Sequence, residues 1–404
     1  MLFLQLLFSV LSFFSIAEIK PAGIQTGIWR GILTTNGGEL PFNFETKYIG
    51  GKLQLIILNG EERIAVDEIN MADDSVFIRL PVFDSEFRLK YTPQTLTGLW
   101  INHSLKENNV FPFKAEFGKA YRFTSETLKP VDNISGRWEV DFSKGTEDSS
   151  KAVGIFIQSG NDLTGTFLTT SGDYRYLAGT VQGNEMLLSC FDGSHAFLFK
   201  ATIDPAGVLN GMYYSGNHWQ EPWIAHRNKG FELPDPASLL QLKEGYDKLA
   251  FSFPDAKGNM VSLADQQFQN KAVIVQVMGS WCPNCMDEVA FFSPLYDQYH
   301  SKGLEIIGLS YEKAVGEKAM QNIERLKQRF NVHYTILLAG EPGADAIKTL
   351  PMLTGMFAYP TTFFIDKTGN LRKIYSGING PATGNEYEQW KDDTRRLVEK
   401  LLSE

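Results

Sequence analysis

Cys282 and Cys285 stand two residues apart in Trp281-Cys282-Pro283-Asn284-Cys285, directly after the apolar run Ala272-Val273-Ile274-Val275-Gln276-Val277-Met278. A pair at this spacing closes a small disulfide ring and reopens it. The apolar run reads as a strand feeding the pair into the first turn of a helix. There, free backbone N–H groups and the helix dipole favour a thiolate, so Cys282, first and exposed, would attack a substrate disulfide. Cys285, one turn in and shielded, would resolve the mixed disulfide. Two blander readings compete. As a structural staple, a ring this small adds little loop-closure stability. As half of a zinc site, the pair would need a second ligand pair, which the sequence lacks. The third cysteine, Cys190 in Met186-Leu187-Leu188-Ser189-Cys190-Phe191, reads as a buried strand residue acting as a small hydrophobe. Nothing near it supports a regulatory or resolving thiol.

The elements that must hold this pair belong to a long chain. Its 404 residues are too many for one ordinary domain, and two or three are expected. Hydrophobic residues at 43% and charged residues at 21% are ordinary for a soluble globular protein. A formal net charge of −9 argues against nucleic acid and against an anionic membrane surface as partners. Aromatic residues at 13% and 36 glycines suggest a large β component with many tight turns. The first charged residue is Glu18, and the apolar stretch before it reads as a secretory signal peptide over residues 1–17, with Ser15-Ile16-Ala17 at the cleavage site. The usual basic start is missing. The alternative is a retained anchor, which would give the only membrane contact. Three cysteines are too few for a disulfide-stapled secreted domain, so the pair reads as catalytic.

An internal repeat fills most of the first 230 residues. Gly27-Ile28-Trp29-Arg30-Gly31 matches Gly136-Arg137-Trp138-Glu139-Val140, and Leu96-Thr97-Gly98-Leu99-Trp100 parallels Leu209-Asn210-Gly211-Met212-Tyr213. Each copy, over 24–120 and 133–228, reads as about eight short alternating strands separated by turn signals such as Asn59-Gly60 and Asp192-Gly193. That spacing suggests a small antiparallel barrel or sandwich. The Gly-x-Trp opening resembles the first strand of lipocalin-like barrels. Trp29 and Trp138 read as core plugs rather than cavity walls. His103, His195, His218 and His226 do not fall at metal-ligand spacing and read as surface or ordinary core residues. A linker over 229–248 follows, with helical periodicity from Ala237 to Lys248, expected to pack between the domains.

From 249 to 404 strands and helices alternate, as in an α/β unit. Here the sequence resembles the TlpA/ResA-like thiol-disulfide oxidoreductases of the thioredoxin superfamily. The resemblance rests on the Phe251–Leu263 pattern of Phe, Asp, Gly, Val and Leu, on Gly279-Ser280-Trp281-Cys282-Pro283-Asn284-Cys285, on Glu288, on Ala358-Tyr359-Pro360-Thr361-Thr362, and on Phe364-Ile365-Asp366-Lys367-Thr368-Gly369. It covers roughly residues 250–404 and implies a thioredoxin-fold α/β domain there; with the two tandem antiparallel β-barrel or sandwich repeats before it, the chain reads as multidomain α+β. The resemblance implies a cis Tyr359-Pro360 peptide facing the cysteines and exposing backbone to a substrate strand. It implies that Glu288, three residues after Cys285, tunes cysteine acidity and moves protons. Gln276 stands where thioredoxins carry a buried Asp, and an amide takes no proton, which raises the weight on Glu288. Trp281, Pro283, Tyr359, Pro360 and Thr361 form the expected substrate-binding set.

The resulting expectation is an extracytoplasmic, periplasmic thiol-disulfide reductase that needs no cofactor or metal. It would act on disulfide-bearing envelope proteins and be recharged by a membrane thiol electron donor. A disulfide oxidase or isomerase is the same chemistry at another potential. A third reading makes the β-repeats the binding part and the redox domain an accessory. A peroxiredoxin-type peroxidase wants Pro and Thr just before the reactive cysteine, and Met278-Gly279-Ser280-Trp281 offers neither.

Overall fold

The computed structural model describes residues 23–235, 238, 240–355 and 357–404. The signal-peptide segment 1–17 lies outside them. Two antiparallel β-units lead the chain. The first comprises β1 (Gly27–Thr35), β2 (Gly38–Ile49), β3 (Lys52–Asn59), β4 (Glu62–Val66), β5 (Glu68–Ala72), β6 (Ser75–Arg79), β7 (Ser85–Tyr91), β8 (Thr95–Asn102) and β9 (Val110–Phe117). The second comprises β10 (Gly136–Phe142), β11 (Ser150–Ser159), β12 (Asp162–Thr169), β13 (Gly172–Asp173), β14 (Leu177–Gln182), β15 (Glu185–Phe191), β16 (Ala196–Ile203), β17 (Leu209–Ser215) and β18 (Trp219–Arg227).

The strands follow the period-two burial that a curved sheet around one core requires; after exposed Lys52, β3 alternates buried and half-buried residues. Both copies pair their first strand with their last. They differ at one seam. In the first copy β4 runs along β3, so β4 and β5 are left as the two free ends of a nearly closed barrel. In the second copy the matching arm shrinks to two residues, β13. β14 then takes the edge of β12, and β11–β12 pairing closes an eight-stranded ring with β13 outside it. The expected eight strands per copy thus become nine in the first and a ring of eight plus a short arm in the second. The duplication shows in side-chain detail. Trp29 and Trp138 are fully buried, and each indole N–H donates to the carbonyl four residues earlier, Gln25 at 3.1 Å and Ile134 at 2.9 Å. They are core plugs. The barrels share apolar packing: Phe191 of the second stacks on Phe42 of the first, 4.4 Å between centroids.

The segment expected as a helix over Ala237 to Lys248 is not one among its described residues. Leu242 bridges Leu353, and the Lys243 and Thr354 amides donate to the carbonyls of Met352 and Gln241. Leu240 is buried in the core of the C-terminal domain. The segment is a strap on that domain, not a spacer. Pro234 and Pro236 oppose a helix, and Leu240 and Leu242 at two-residue spacing suit an extended strand.

The C-terminal domain opens with the hairpin β19 (Ser252–Pro254) and β20 (Met260–Ser262). Then come β21 (Ala272–Met278), α1 (Pro283–Tyr299), β22 (Leu304–Tyr311), α2 (Glu317–Phe330), β23 (Thr335–Gly340), β24 (Thr361–Ile365), β25 (Leu371–Ser376) and α3 (Asn385–Ser403). Sheet order is β23-β22-β21-β24-β25, with the first three parallel and the last two antiparallel. Every residue of the central strand β21 is buried, and apolar clusters cover both sheet faces. This is a thioredoxin-like α/β domain behind two β-barrels. Among the described residues no helix is long and apolar enough to cross a membrane.

Candidate redox site

β21 ends at the sheet centre and passes through Gly279-Ser280 into α1. A Cβ at Gly279 would lie 2.7 Å from the Tyr311 carbonyl oxygen and closer still to the Trp281 ring, so only glycine fits this turn. Ser280 anchors the turn: its amide and hydroxyl donate to the Glu312 carboxylate at 2.9 and 2.6 Å. Ser310 adds a third bond at 2.6 Å. Glu312 is buried and has no cationic partner among the described residues, and burial pushes its carboxyl up despite those bonds.

Pro283 opens α1, where a missing N–H costs nothing. Cys282 caps the helix: its Sγ accepts from the Cys285 amide at 3.2 Å. Cys282 and Cys285 are joined as a disulfide. Cys282 is 5% exposed and Cys285 fully buried. The Tyr359-Pro360 bond is cis, and the Tyr359 carbonyl oxygen lies 3.4 Å from Cys282 Sγ. Trp281 packs edge-on to Tyr359 at 5.1 Å, donates to the Tyr311 carbonyl at 2.8 Å, and carries the Lys313 ammonium 4.3 Å over its ring. Pro360 and Thr361 are buried, and the Thr361 hydroxyl donates to the Ala358 carbonyl at 2.9 Å, so that side chain steadies the turn.

Glu288 sits one helical turn after Cys285 and is fully buried. The Gln276 amide and the Thr362 hydroxyl each donate to it at 2.7 Å. Burial pushes its carboxyl up to about 7, against the two hydrogen bonds that favour the charged form. Gln276 therefore serves as a donor to the site's one buried acid on α1. Among the described residues no group of side chains could hold a metal ion.

The second barrel covers this site. Its short arm β13 docks on α1: Asn284 donates to the Asp173 carbonyl at 3.0 Å, and the Asp173 carboxylate accepts from the Gly380 amide at 2.7 Å. Ser194 donates to the Trp281 carbonyl at 2.8 Å. Arg175, buried, pairs with Asp287 of α1, with Glu62 of the first barrel at 2.6 Å, and with Asp192 at 3.8 Å. Burial works against its charge; Glu62, Asp192 and Asp173 outweigh that and hold its pKa above the ordinary value. A cleft of about 560 Å3 remains, walled by Trp281, Cys282, Asn284 and Tyr359 on one side and Tyr174 and Phe197 on the other. His195 also lines it, with Nδ1 3.0 Å from the buried Asp192 carboxylate. Reading His195 as an ordinary surface or core residue missed this place.

The AhpC/TSA family pattern matches residues 245–374. The chain is 28% identical over 150 residues to thiol-disulfide oxidoreductase ResA of Bacillus thuringiensis subsp. konkukian, covering 37% of this chain and 78% of the relative. It is 27% identical over 170 residues to thiol:disulfide interchange protein DsbE of Pseudomonas aeruginosa, covering 42% and 83%. It is 30% identical over 152 residues to ResA of Geobacillus kaustophilus, covering 37% and 74%. With its cysteine pair capping the first helix of a thioredoxin-like domain, the chain belongs to the ResA family of thiol-disulfide oxidoreductases.

Proposed function

We propose that this enzyme works outside the cytoplasm and reduces disulfides, those of envelope proteins among them, through Cys282 and Cys285. The observation that carries the reading is the pair itself: a disulfide at a helix N-terminus, with Glu288 buried one turn behind it. In the reduced enzyme the Cys282 thiolate attacks a substrate S–S bond. A mixed disulfide forms, and the displaced substrate thiolate takes a proton. Cys285 then gives up its proton, with Glu288 as acceptor, and attacks Cys282 Sγ. The second substrate thiol leaves, and two electrons have passed from the dithiol to the substrate. A membrane thiol donor restores the dithiol. The apolar segment 1–17 supports an extracytoplasmic site of action.

The test is a pair of variants. The full chain should reduce insulin disulfides with dithiothreitol as donor, and Cys282→Ser should not. Cys285→Ser should accumulate a mixed disulfide on Cys282, seen as a reductant-sensitive adduct. Equal rates for wild type and Cys282→Ser would end the reading. The reducing direction is checked by the pair's potential against a glutathione buffer: a value near that of thioredoxin, about −270 mV, supports reductase work, and one near −120 mV supports an oxidase.

A further inference from the structure

The redox site is enclosed. Cys282, the attacking residue, lies at the bottom of the interdomain cleft with 5% of its surface exposed. The enclosure is built into the packing. A Cβ on Gly377 would lie 2.5 Å from the Ser171 backbone, and one on Gly172 2.6 Å from Asn284 Nδ2. Backbone approaches this close, with the Asp173, Ser194 and Arg175 contacts, seat the second barrel on α1 in one position. A sulfur held in a folded protein reaches the floor of such a cleft more slowly than one in a free small molecule.

What the cleft accepts follows from its size and walls. About 560 Å3, with a further 210 Å3 adjoining across Trp281, His195 and Phe197, falls within the range of small-molecule sites. Its walls set the rings of Tyr174, Phe197, Trp281 and Tyr359 among small polar residues. Two polar atoms on the redox side have no partner: Oδ1 of Asn284, a residue 9% exposed, and Oη of Tyr359. Aromatic rings with a few unpaired polar groups around a reactive atom describe a site that orients a small ligand.

We propose that the cleft is a binding site for a low-molecular-weight disulfide, with the second barrel supplying its outer wall through Tyr174, His195 and Phe197. This rests on the exchange chemistry above and names the size class of substrate that the closed enzyme takes fastest. The Cys282 thiolate attacks one sulfur of R–S–S–R, releasing R–S⁻, which takes a proton. Cys285 then displaces the second R–S⁻ from Cys282. One small disulfide becomes two thiols while the enzyme dithiol becomes its disulfide, and a dithiol donor reverses the latter.

The experiment uses the full chain, reduced and freed of reductant. Its oxidation is timed by free glutathione disulfide and by the same glutathione disulfide carried on an exposed cysteine of a folded protein. Thr170 and Ser150 line the cleft from the second barrel, so Thr170→Trp and, independently, Ser150→Trp fill it. Free glutathione disulfide is expected to react at least about tenfold faster than the carried one, and either tryptophan to remove most of that advantage. Cys282-dependent reaction at equal rates with both, or unchanged rates in both tryptophan variants, would overturn the cleft assignment and leave exchange standing. Rates no faster than those of Cys282→Ser with either disulfide would remove both.

Discussion

Glu288 is the residue on which proton movement at the pair turns. Its carboxyl is pushed up to about 7 by burial, so the folded protein keeps a proton that an unfolded glutamate loses near 4.5. Folding is therefore favoured most at low pH, and the advantage is lost as pH rises through 7, by roughly 3 kcal/mol in all. Glu288→Gln should flatten urea-derived stability between pH 5 and 8 by an amount of that order. It should also slow resolution of the mixed disulfide and abolish a rate limb near pH 7. An unchanged pH profile of the single-turnover rate would remove Glu288 from proton transfer. Cys190 offers a contrast: it is fully buried, and burial raises its thiol well above the ordinary value. The reduced native protein should show one fast thiol to iodoacetamide, Cys282, and Cys190 should react only in denaturant. Glu288 was legible because it shares a helix with Cys285, where spacing gives proximity. Glu312 and His195 were not. Their partners stand far away in sequence, and only the folded sheet order brings Glu312 to Ser280 and His195 to the Cys282 cleft.

At the scale of elements, the seam between β12 and β14 decides what the second barrel does. By yielding its edge, the short arm β13 is free to meet α1, and Arg175 stands two residues after it. The first copy spends the matching residues on β4 and has no such arm. The repeat itself was readable from Gly-x-Trp and the turn signals, because each strand carries its own alternation. The seam was not, because it depends on which of two strands wins one edge. The helix expected over 237–248 failed for a similar reason: its apolar spacing suits a helix or an extended path, and over the described residues 240–243 contact with Met352–Thr354 holds an extended path with one bridge. Arg175 joins three carboxylates from two barrels and α1. Removing its charge takes the shared cation from three acids in a largely buried joint, and breaking a buried pair costs about 3–5 kcal/mol. Arg175→Met should lower the urea midpoint accordingly, and Arg175→Lys should recover part of the loss. A loss below about 1 kcal/mol, the scale of a surface pair, would mean that the cluster adds little to the joint.

Over the whole molecule, the barrels and the redox domain act as one body around the sulfur, so access to Cys282 is a property of the interdomain joint. That joint has one place where a small change wedges it without touching the cleft. Gly380 follows β25, and a Cβ there would meet the Asp173 carboxylate at 2.6 Å and the Asp287 carboxylate at 3.1 Å. Both acids are already held, Asp173 by the Gly380 amide and Asp287 by Arg175, so neither moves aside at no cost. Gly380 has φ −73°, which any side chain adopts, so a larger residue strains the joint and not its own backbone. Gly380→Val should therefore loosen the second barrel from α1. In the reduced protein, iodoacetamide, small enough for the cleft, should label Cys282 at a rate within about twofold of wild type. A maleimide on a long polyethylene glycol chain should label Cys282 several times faster in the variant than in wild type. Equal labelling of both proteins by the bulky reagent would show that the second barrel does not limit access to the sulfur.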